Sequence, residues 1–428
     1  MAPWETMTRS ELETFQLSRL RHGLSRLSES NPFYQKKFSQ WKGVAATLSR
    51  EEFALLPFTT KEELLDDQSM NPPYGTNLTR PVADYVRLHQ TSGTSGRRLR
   101  WLDSPEGWAW FLECWNDIYD AIGIDPTDRF FVPFSFGPFL GFWAAFEGAV
   151  HRGCFTLAGG GMTSIARLQA ILDHQITVVC TTPTYASHLL ETAGSVGMDL
   201  SASAVRLLVL AGEPGAQIPA LRLRLEHGWR ARVIDHSGMT EVGSIGIEFA
   251  DFPGKLFLLE NQCLPEFIDP VTCKPVAAGE LGELVVTNLG RWDSPLVRYR
   301  TGDLARWQLG PHPATKPFIH LDGGIIGRVD DMLYIKGNNV YPSSLEAVLR
   351  EESQVAEFAI DIDETTTPAE VTIVVEPRDE SASDGLVHRL GRLFQDRLLF
   401  RPEIELTSPG SLPRFEHKAQ RLRRHRPS

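Results

Sequence analysis

The sequence predicts an α/β protein: a large N-terminal region of α/β layers with a small β-barrel-like section, then a small α+β C-terminal domain. Three textures carry that reading. Between 108 and 250 helical periodicity alternates with short apolar runs, which points to buried strands covered by helices. Beyond 255 strand-length runs alternate with turn signals, and from 330 a compact mixed unit begins. The expected domains are 1–329 and 330–428.

In chain order, a first helix ends at Asn31-Pro32-Phe33-Tyr34. Phe130 to Val132, Val178 to Thr182 and Leu207 to Ala211 read as strands, and 108–121, 141–152, 164–174, 184–194 and 217–227 as helices. The β-rich section contains Leu264 to Ile268, a turn at Asp269-Pro270, and Glu283 to Thr287. In the last unit a helix follows Pro342 (Ser344 to Glu351), with strands near 355–361 and 369–376. A final helix at 385–399 is expected to carry Leu386, Val387, Leu390, Leu393 and Phe394 on one side. No internal repeat is visible. Residues 131–150 are apolar enough to suggest a membrane span, but Pro133, Ser135, Pro138 and Glu147 interrupt them, which favours a buried wall or pocket.

Composition narrows the function. The net charge of -11 argues against a general nucleic-acid binder, since phosphate backbones are bound through Lys and Arg. The run Arg421, Arg423, Arg424, Arg426 reads as a solvated helix end or frayed tail, with a contact to coenzyme A phosphates as the alternative. Five cysteines without a CxxC pair indicate neither a disulfide framework nor a zinc knuckle, and fit a reducing cytoplasm. The N-terminus lacks the pattern of a secretory signal.

The most informative short stretch is Thr91-Ser92-Gly93-Thr94-Ser95-Gly96-Arg97. Glycines allow close backbone approach, hydroxyls and main-chain N–H groups donate to phosphate oxygens, and a cation closes the loop. It is neither a Walker A loop nor a dinucleotide fingerprint. Further along come Ala211-Gly212-Glu213-Pro214, Asp235-His236-Ser237-Gly238-Met239-Thr240-Glu241, Arg298-Tyr299-Arg300-Thr301-Gly302-Asp303-Leu304, Gly327-Arg328-Val329-Asp330-Asp331, Lys336-Gly337-Asn338-Asn339 and Leu412-Pro413-Arg414-Phe415-Glu416-His417-Lys418. In this order, over nearly the whole chain, they resemble the phenylacetate-coenzyme A ligase branch of the adenylate-forming superfamily.

That resemblance implies an adenylate-forming ligase fold with a mobile C-terminal domain, a hinge at Asp330, and ATP, Mg2+ and coenzyme A as cofactors. It implies activation of a small aromatic carboxylic acid as an acyl-adenylate, then transfer to coenzyme A. Loading of a carrier-protein thiol is the alternative. Glu241 resembles the magnesium-binding glutamate, Thr240 an α-phosphate donor, Asp303 the acceptor of both ribose hydroxyls, and Arg328 an arginine near the nucleotide. Gly212, Glu213, Pro214 and the 235–239 segment take the place of the nucleotide wall. Ala211, Gly212 and Gly238, with Phe134, Phe136, Phe139 and Gly141, take that of the acyl pocket. Lys418 resembles the lysine delivered for adenylation alone, and Lys336-Gly337 the loop that replaces it for thioester formation. Relatives imply a homodimer, with no nucleic-acid or membrane partner.

Two positions depart from the family pattern. The phosphate loop ends in Arg97 where lysine is usual, and Ser237 stands where relatives stack a tyrosine on adenine. A silent nucleotide sensor is the competing reading of a different class, opposed by the retention of Glu241, Asp303, Arg328 and Lys418. Glu147 is a candidate for a polar substituent on the acid. A structural metal on His236, Glu248 and Cys263 lacks convincing ligand spacing.

Overall fold

The structure is a computed structural model that describes residues 3–41, 47–91, 97–138, 140–310, 317–335, 338–365, 370–415 and 419–425. Among these, eleven strands form one continuous sheet. Its parallel half orders Phe155–Ala158, Arg129–Val132, Val178–Thr181, Leu207–Leu210 and Arg232–Met239. Side chains alternate across it with period two. Phe130, Val132, Val178, Cys180, Leu207, Val209 and Ile234 enter one apolar layer, under the helices Pro105–Ile122 and Trp143–His151. Phe131, Val179, Leu208, Leu210 and Val233 enter the other, under Ser164–Asp173, Pro183–Ser195 and Pro219–Trp229. Burial on both faces is why these strands read as unbroken apolar runs.

Arg232–Met239 is the junction of the sheet, parallel to Leu207–Leu210 on one side and antiparallel to Gly243–Glu248 on the other. From there the β-rich section continues antiparallel through Lys255–Leu258, His320–Arg328, Tyr299–Gln308, Leu281–Asn288 and Cys263–Ile268. In open α/β sheets ligands sit beyond the carboxyl ends of the parallel strands. Here those ends lead into residues 133–142, 182–184, 211–215 and the turn at 240–242. The turn is tight because Gly238 has no side chain: a Cβ there would lie 2.7 Å from the Gly243 carbonyl oxygen.

A separate hairpin pairs Arg87–Gln90 with Arg100–Asp103, and the Ser/Thr/Gly loop connects its strands. The last unit is a four-stranded sheet ordered Glu403–Leu406, Glu370–Pro377, Val355–Asp363 and Leu422–His425, packed by the helices Pro342–Glu351 and Leu386–Leu398 around its own core.

Two expectations are corrected there. Val387 is exposed, because the buried stripe of its helix consists of Leu386, Leu390 and Phe394, spaced by four. The arginine run is neither helix end nor frayed tail: Leu422–His425 is a strand parallel to Val355–Asp363. Arg421 is buried on both carboxylate oxygens of Glu357, at 2.5 and 2.9 Å, and Arg424 pairs with Glu364 at 2.7 Å. Arg423 is exposed, and Arg426 lies outside the described residues. No helix among the described residues is long and apolar enough to cross a membrane. The apolar stretch 131–150 folds as a strand end, a connecting segment and the short helix Trp143–His151.

Candidate active site

The site is built on the turn after Arg232–Met239. Thr240 and Glu241 occupy that turn, and Glu241 is buried although it joins two strands. An arginine from elsewhere holds them. Arg291, with no exposed side-chain surface, donates to the Thr240 and Glu241 carbonyls at 2.9 Å each. Its other nitrogens grip Asp103 at 2.7 Å each, in the bidentate geometry that suits a guanidinium. Burial pushes the Asp103 carboxyl up, but Arg291 and the neighbouring His89 prevail and hold it below the ordinary range. Asp103 pairs with Arg87 at the end of the hairpin away from the Ser/Thr/Gly loop, so that hairpin and the turn share one buried ion pair.

A second strand faces the turn. Asp303 pairs across to Arg328, whose Nη1 donates to its Oδ1 at 3.0 Å. Gly302 makes this possible: its φ is +77°, and a Cβ would press on Arg328 at 2.8 Å. Tyr299, buried on the same strand, feels the charges of Glu241, Arg328, Glu62 and Asp303, and burial drives its hydroxyl well above the usual range. Lys61, at the start of the helix Lys61–Met70, lies 3.4 Å from the Glu241 carboxylate. Two residues before Lys61, Thr59 fixes that helix to the Tyr299 strand through hydrogen bonds of 2.9 Å to the backbone of Arg298 and Arg300.

On the other side of the turn, Gly212 adopts a φ of +92° directly after Leu207–Leu210. Glu213 accepts from the Thr184 N–H at 2.8 Å and the Ala419 N–H at 3.0 Å. Gly212 and Pro214 are exposed, and Ala211 is half-buried on the same apolar layer as Phe134, Phe136, Trp143 and Phe146. Phe136 lies tilted against Trp143, with 4.5 Å between ring centroids, and edge-on to Phe146 at 5.4 Å. Gly141 approaches Phe134 so closely that a Cβ would lie 3.1 Å from its ring.

Comparison with known proteins gives this arrangement its family. A family model described as AMP-binding enzyme matches residues 43–290, and one described as AMP-binding enzyme C-terminal domain matches 337–426. Phenylacetate-coenzyme A ligase of Pseudomonas putida is 31% identical over 97% of this chain and 95% of its own. The Escherichia coli K12 protein of the same name is 30% identical, over 98% and 96%. The chain belongs to the adenylate-forming enzymes, in their phenylacetate-coenzyme A ligase branch. Among solved structures, 2-hydroxyisobutyryl-CoA ligase in its postadenylation state with R3-HIB-AMP has a TM-score of 0.92 at 27% identity, over 99% of this chain and 91% of that one. The same enzyme in the thioesterification state with 2-HIB-AMP and CoA has a TM-score of 0.74 at 28% identity, with the same coverage.

As an AMP-forming acid–coenzyme A ligase, the protein uses ATP, Mg2+ and coenzyme A. The donor set suits magnesium. Glu241 presents a carboxylate, a hard oxygen donor of the kind magnesium takes.

Other expected site residues are turned elsewhere. His236 is buried, with Nδ1 2.7 Å from the Gly246 carbonyl oxygen and its ring 4.7 Å from Trp115, so its imidazole is committed to the core. Arg97 points outward to Asp66 at 2.9 Å and Ser69 at 3.1 Å, in an exposed pair of little energetic weight. Glu147 faces neither substrate nor bulk water alone: Arg87 holds it at 2.7 Å and the Trp108 indole N–H at 2.8 Å. The three metal candidates are committed to Gly246, to Arg222 and to the Leu259 carbonyl respectively. Thr91 is buried, its hydroxyl accepting from the Leu99 N–H at 3.1 Å. Ser237 and Met239 are half-buried on the junction strand, and Asp235 accepts from Gln217 at 2.7 Å while burial pushes its carboxyl up. Ser92 to Gly96, Phe139, Lys336, Gly337 and Lys418 lie outside the described residues.

Sequence reading missed Arg291, Asp103, Tyr299 and Lys61. Only Tyr299 carried a signal, inside the Arg298 to Leu304 motif.

Two measurements test the construction. Asp103→Asn strands a buried guanidinium, and the expected cost is about 3–5 kcal/mol in the urea midpoint. Asp103→Leu with Arg291→Met recovers much of that stability, because apolar pairs replace buried ion pairs well. Methionine cannot hold the two carbonyls, so ATP-dependent activity stays impaired; full recovery of activity would refute the positioning role. Second, burial pushes His236 down to about 4. Unfolded histidine titrates near ~6.5, so between these values the unfolded chain binds more protons. The contribution of His236 to stability is complete above about pH 6.5 and is lost as pH falls toward 4, by about 3 kcal/mol in all. His236→Gln keeps a donor for Gly246 and should lose less thermal stability than the parent between about pH 7 and about pH 5. Equal losses would contradict it.

Proposed function

We propose that the ligase activates a small aromatic carboxylic acid of the benzoate, aminobenzoate, hydroxybenzoate or phenylacetate type and delivers it to coenzyme A. The observation that carries the reading is that Asp303, paired with Arg328 at 3.0 Å, lies on the strand to which Thr59 anchors the helix of Lys61, whose ammonium is 3.4 Å from Glu241. The names of the relatives support an aryl acid, and the Phe134, Phe136, Trp143 and Phe146 cluster offers the flat apolar surface such a ring needs. They also favour coenzyme A over a carrier-protein thiol as acceptor.

In the first half-reaction a carboxylate oxygen attacks the α-phosphorus of ATP, and the bond to the β-phosphate oxygen breaks to release pyrophosphate. Two anions must approach, so cations and oriented donors dominate catalysis. Asp303, ionised, accepts from both ribose hydroxyls, while Arg328 holds Asp303 and faces the nucleotide. Thr240 donates to the α-phosphate, and the 91–97 loop cradles the outer phosphates. Glu241 ligates magnesium, which when bound neutralises charge on the departing pyrophosphate. Gly212, Glu213, Pro214 and residues 235–239 form the nucleotide wall. In the second half-reaction the thiol sulfur attacks the acyl carbonyl, loses its proton, and AMP leaves.

Lys418 serves the first step only. Its neighbour Ala419 is bonded to Glu213, which supports a tail seated against the nucleotide wall in the state described here. The higher TM-score to the postadenylation structure than to the thioesterification structure supports the same assignment. The domains 1–329 and 330–428 then turn about Asp330, bringing Lys336-Gly337 toward the pantetheine arm. Asp330 suits a hinge: Arg328 grips its side chain at 3.0 Å, and Arg424 its carbonyl at 3.3 Å. A homodimer in the cytoplasm completes the proposal.

The test is acid-dependent pyrophosphate release across benzoates, aminobenzoates, hydroxybenzoates and phenylacetate, with 2-hydroxyisobutyrate as the aliphatic comparison. An aromatic acid should be turned over most efficiently; preference for the aliphatic acid would overturn the substrate class. Lys418→Ala should abolish adenylate formation while sparing thioester synthesis from supplied acyl-adenylate. Equal loss in both half-reactions would contradict its role.

A further inference from the structure

We propose that Lys61 is an additional phosphate-binding residue of this ligase, which guards the Glu241 carboxylate before nucleotide binds and turns to the outer phosphates of ATP once magnesium takes that carboxylate. The inference rests on the reading of Glu241 as the magnesium ligand.

Three observations lead to it. The cation at the end of the phosphate loop, Arg97, is half exposed and committed to Asp66 and Ser69, so in this arrangement it faces away from the turn. Those two partners lie on the helix Lys61–Met70, whose first residue instead directs its ammonium at Glu241, 3.4 Å away. That helix is not free to drift. The Thr59 backbone bridges to Tyr299, its hydroxyl donates to the Val297 carbonyl at 2.8 Å, and the Thr60 side chain caps the helix from Glu63 N–H. One short helix thus holds the loop's own cation aside and supplies another.

The charges make the exchange necessary. Glu241 is 5% exposed, and an isolated carboxylate so buried is costly unless a cation faces it. Lys61 is that cation while no metal is bound. Were Mg2+ to take the carboxylate, the ammonium now 3.4 Å from it would face a second cation and be repelled unless an anion joined them. The outer phosphates of ATP would supply that anion, and a lysine on a flexible stem could turn to them as a point charge without changing the helix. The side chain is one-third exposed, which leaves it room to turn.

Calorimetric titration of the full chain with Mg·ATP, Mg·pyrophosphate and AMP tests this. Lys61→Met should weaken Mg·ATP and Mg·pyrophosphate about tenfold or more, as expected for a lost charge-assisted contact, and leave AMP affinity within about twofold. Lys61→Arg should restore most of the loss. Unchanged pyrophosphate affinity in Lys61→Met would overturn the proposal, and so would an equal loss for AMP, which points to general damage. Glu241→Gln separates the two readings. If magnesium dependence of pyrophosphate binding survives that change, the assignment of Glu241 fails and takes the exchange with it. If the dependence is lost but Lys61→Met binds normally, only Lys61 is misassigned.

Discussion

The pairing of Asp103 with Arg291 is the constraint on which the site depends. Both side chains are withdrawn from water, and the guanidinium spends its remaining donor on the carbonyls of Thr240 and Glu241. Buried ion pairs seldom add net stability relative to apolar residues of similar shape, because desolvating two charges offsets their attraction. The reason to keep one here is geometric. A leucine in place of Arg291 could fill the space among Phe111 and Trp101, whose rings flank the guanidinium at 4.5 and 5.1 Å, but it could not aim two carbonyls. The pair fixes the distance between the hairpin that bears the phosphate loop and the turn that bears Glu241, two segments that share no sheet.

What the sequence reveals follows from how far each signal travels along the chain. The parallel strands were legible because burial on both faces leaves runs such as Leu207 to Leu210 without a polar residue, and their helices because apolar residues recur at helical spacing. The motif residues were legible as an ordered set. Arg291 was not, since its partners lie 188, 51 and 50 positions away and nothing local marks it. Lys61 follows Thr60 and precedes Glu63, so it reads as the start of a capped helix, which it also is. Val387 and the terminal arginines were misread for a related reason. Next to a stripe spaced by four, one more apolar residue does not widen the buried face, and charged residues on a short edge strand look like a tail until their partners Glu357 and Glu364 are known.

The surface between the large region and the C-terminal unit has a different character from either core. Its contacts mix polar and apolar groups: Ala419 to Glu213, Arg421 to Thr184 at 3.1 Å and Arg414 to Glu191 at 3.5 Å, with Ala347 of the helix Pro342–Glu351 packed against the apolar layer under Pro183–Ser195 and Pro219–Trp229. Arg421 is also held by Glu357 and Arg414 by Glu376 at 2.6 Å, both within the C-terminal unit, so separation strands neither guanidinium. Ion pairs that stay within the C-terminal unit suit the rotation proposed above, because they need not be rebuilt when the unit moves.

Glu213 then acquires a meaning its motif does not convey. One carboxylate oxygen receives the N–H of Thr184, near the start of the helix Pro183–Ser195, and the other receives the tail beside Lys418. The first bond persists whatever the tail does, because both partners belong to the large region. The second exists only while the tail is seated. Releasing it returns one acceptor to solvent, which water satisfies at small cost. In the rotation proposed about Asp330, Glu213 would therefore keep its bond to Thr184 and give up only the one to Ala419.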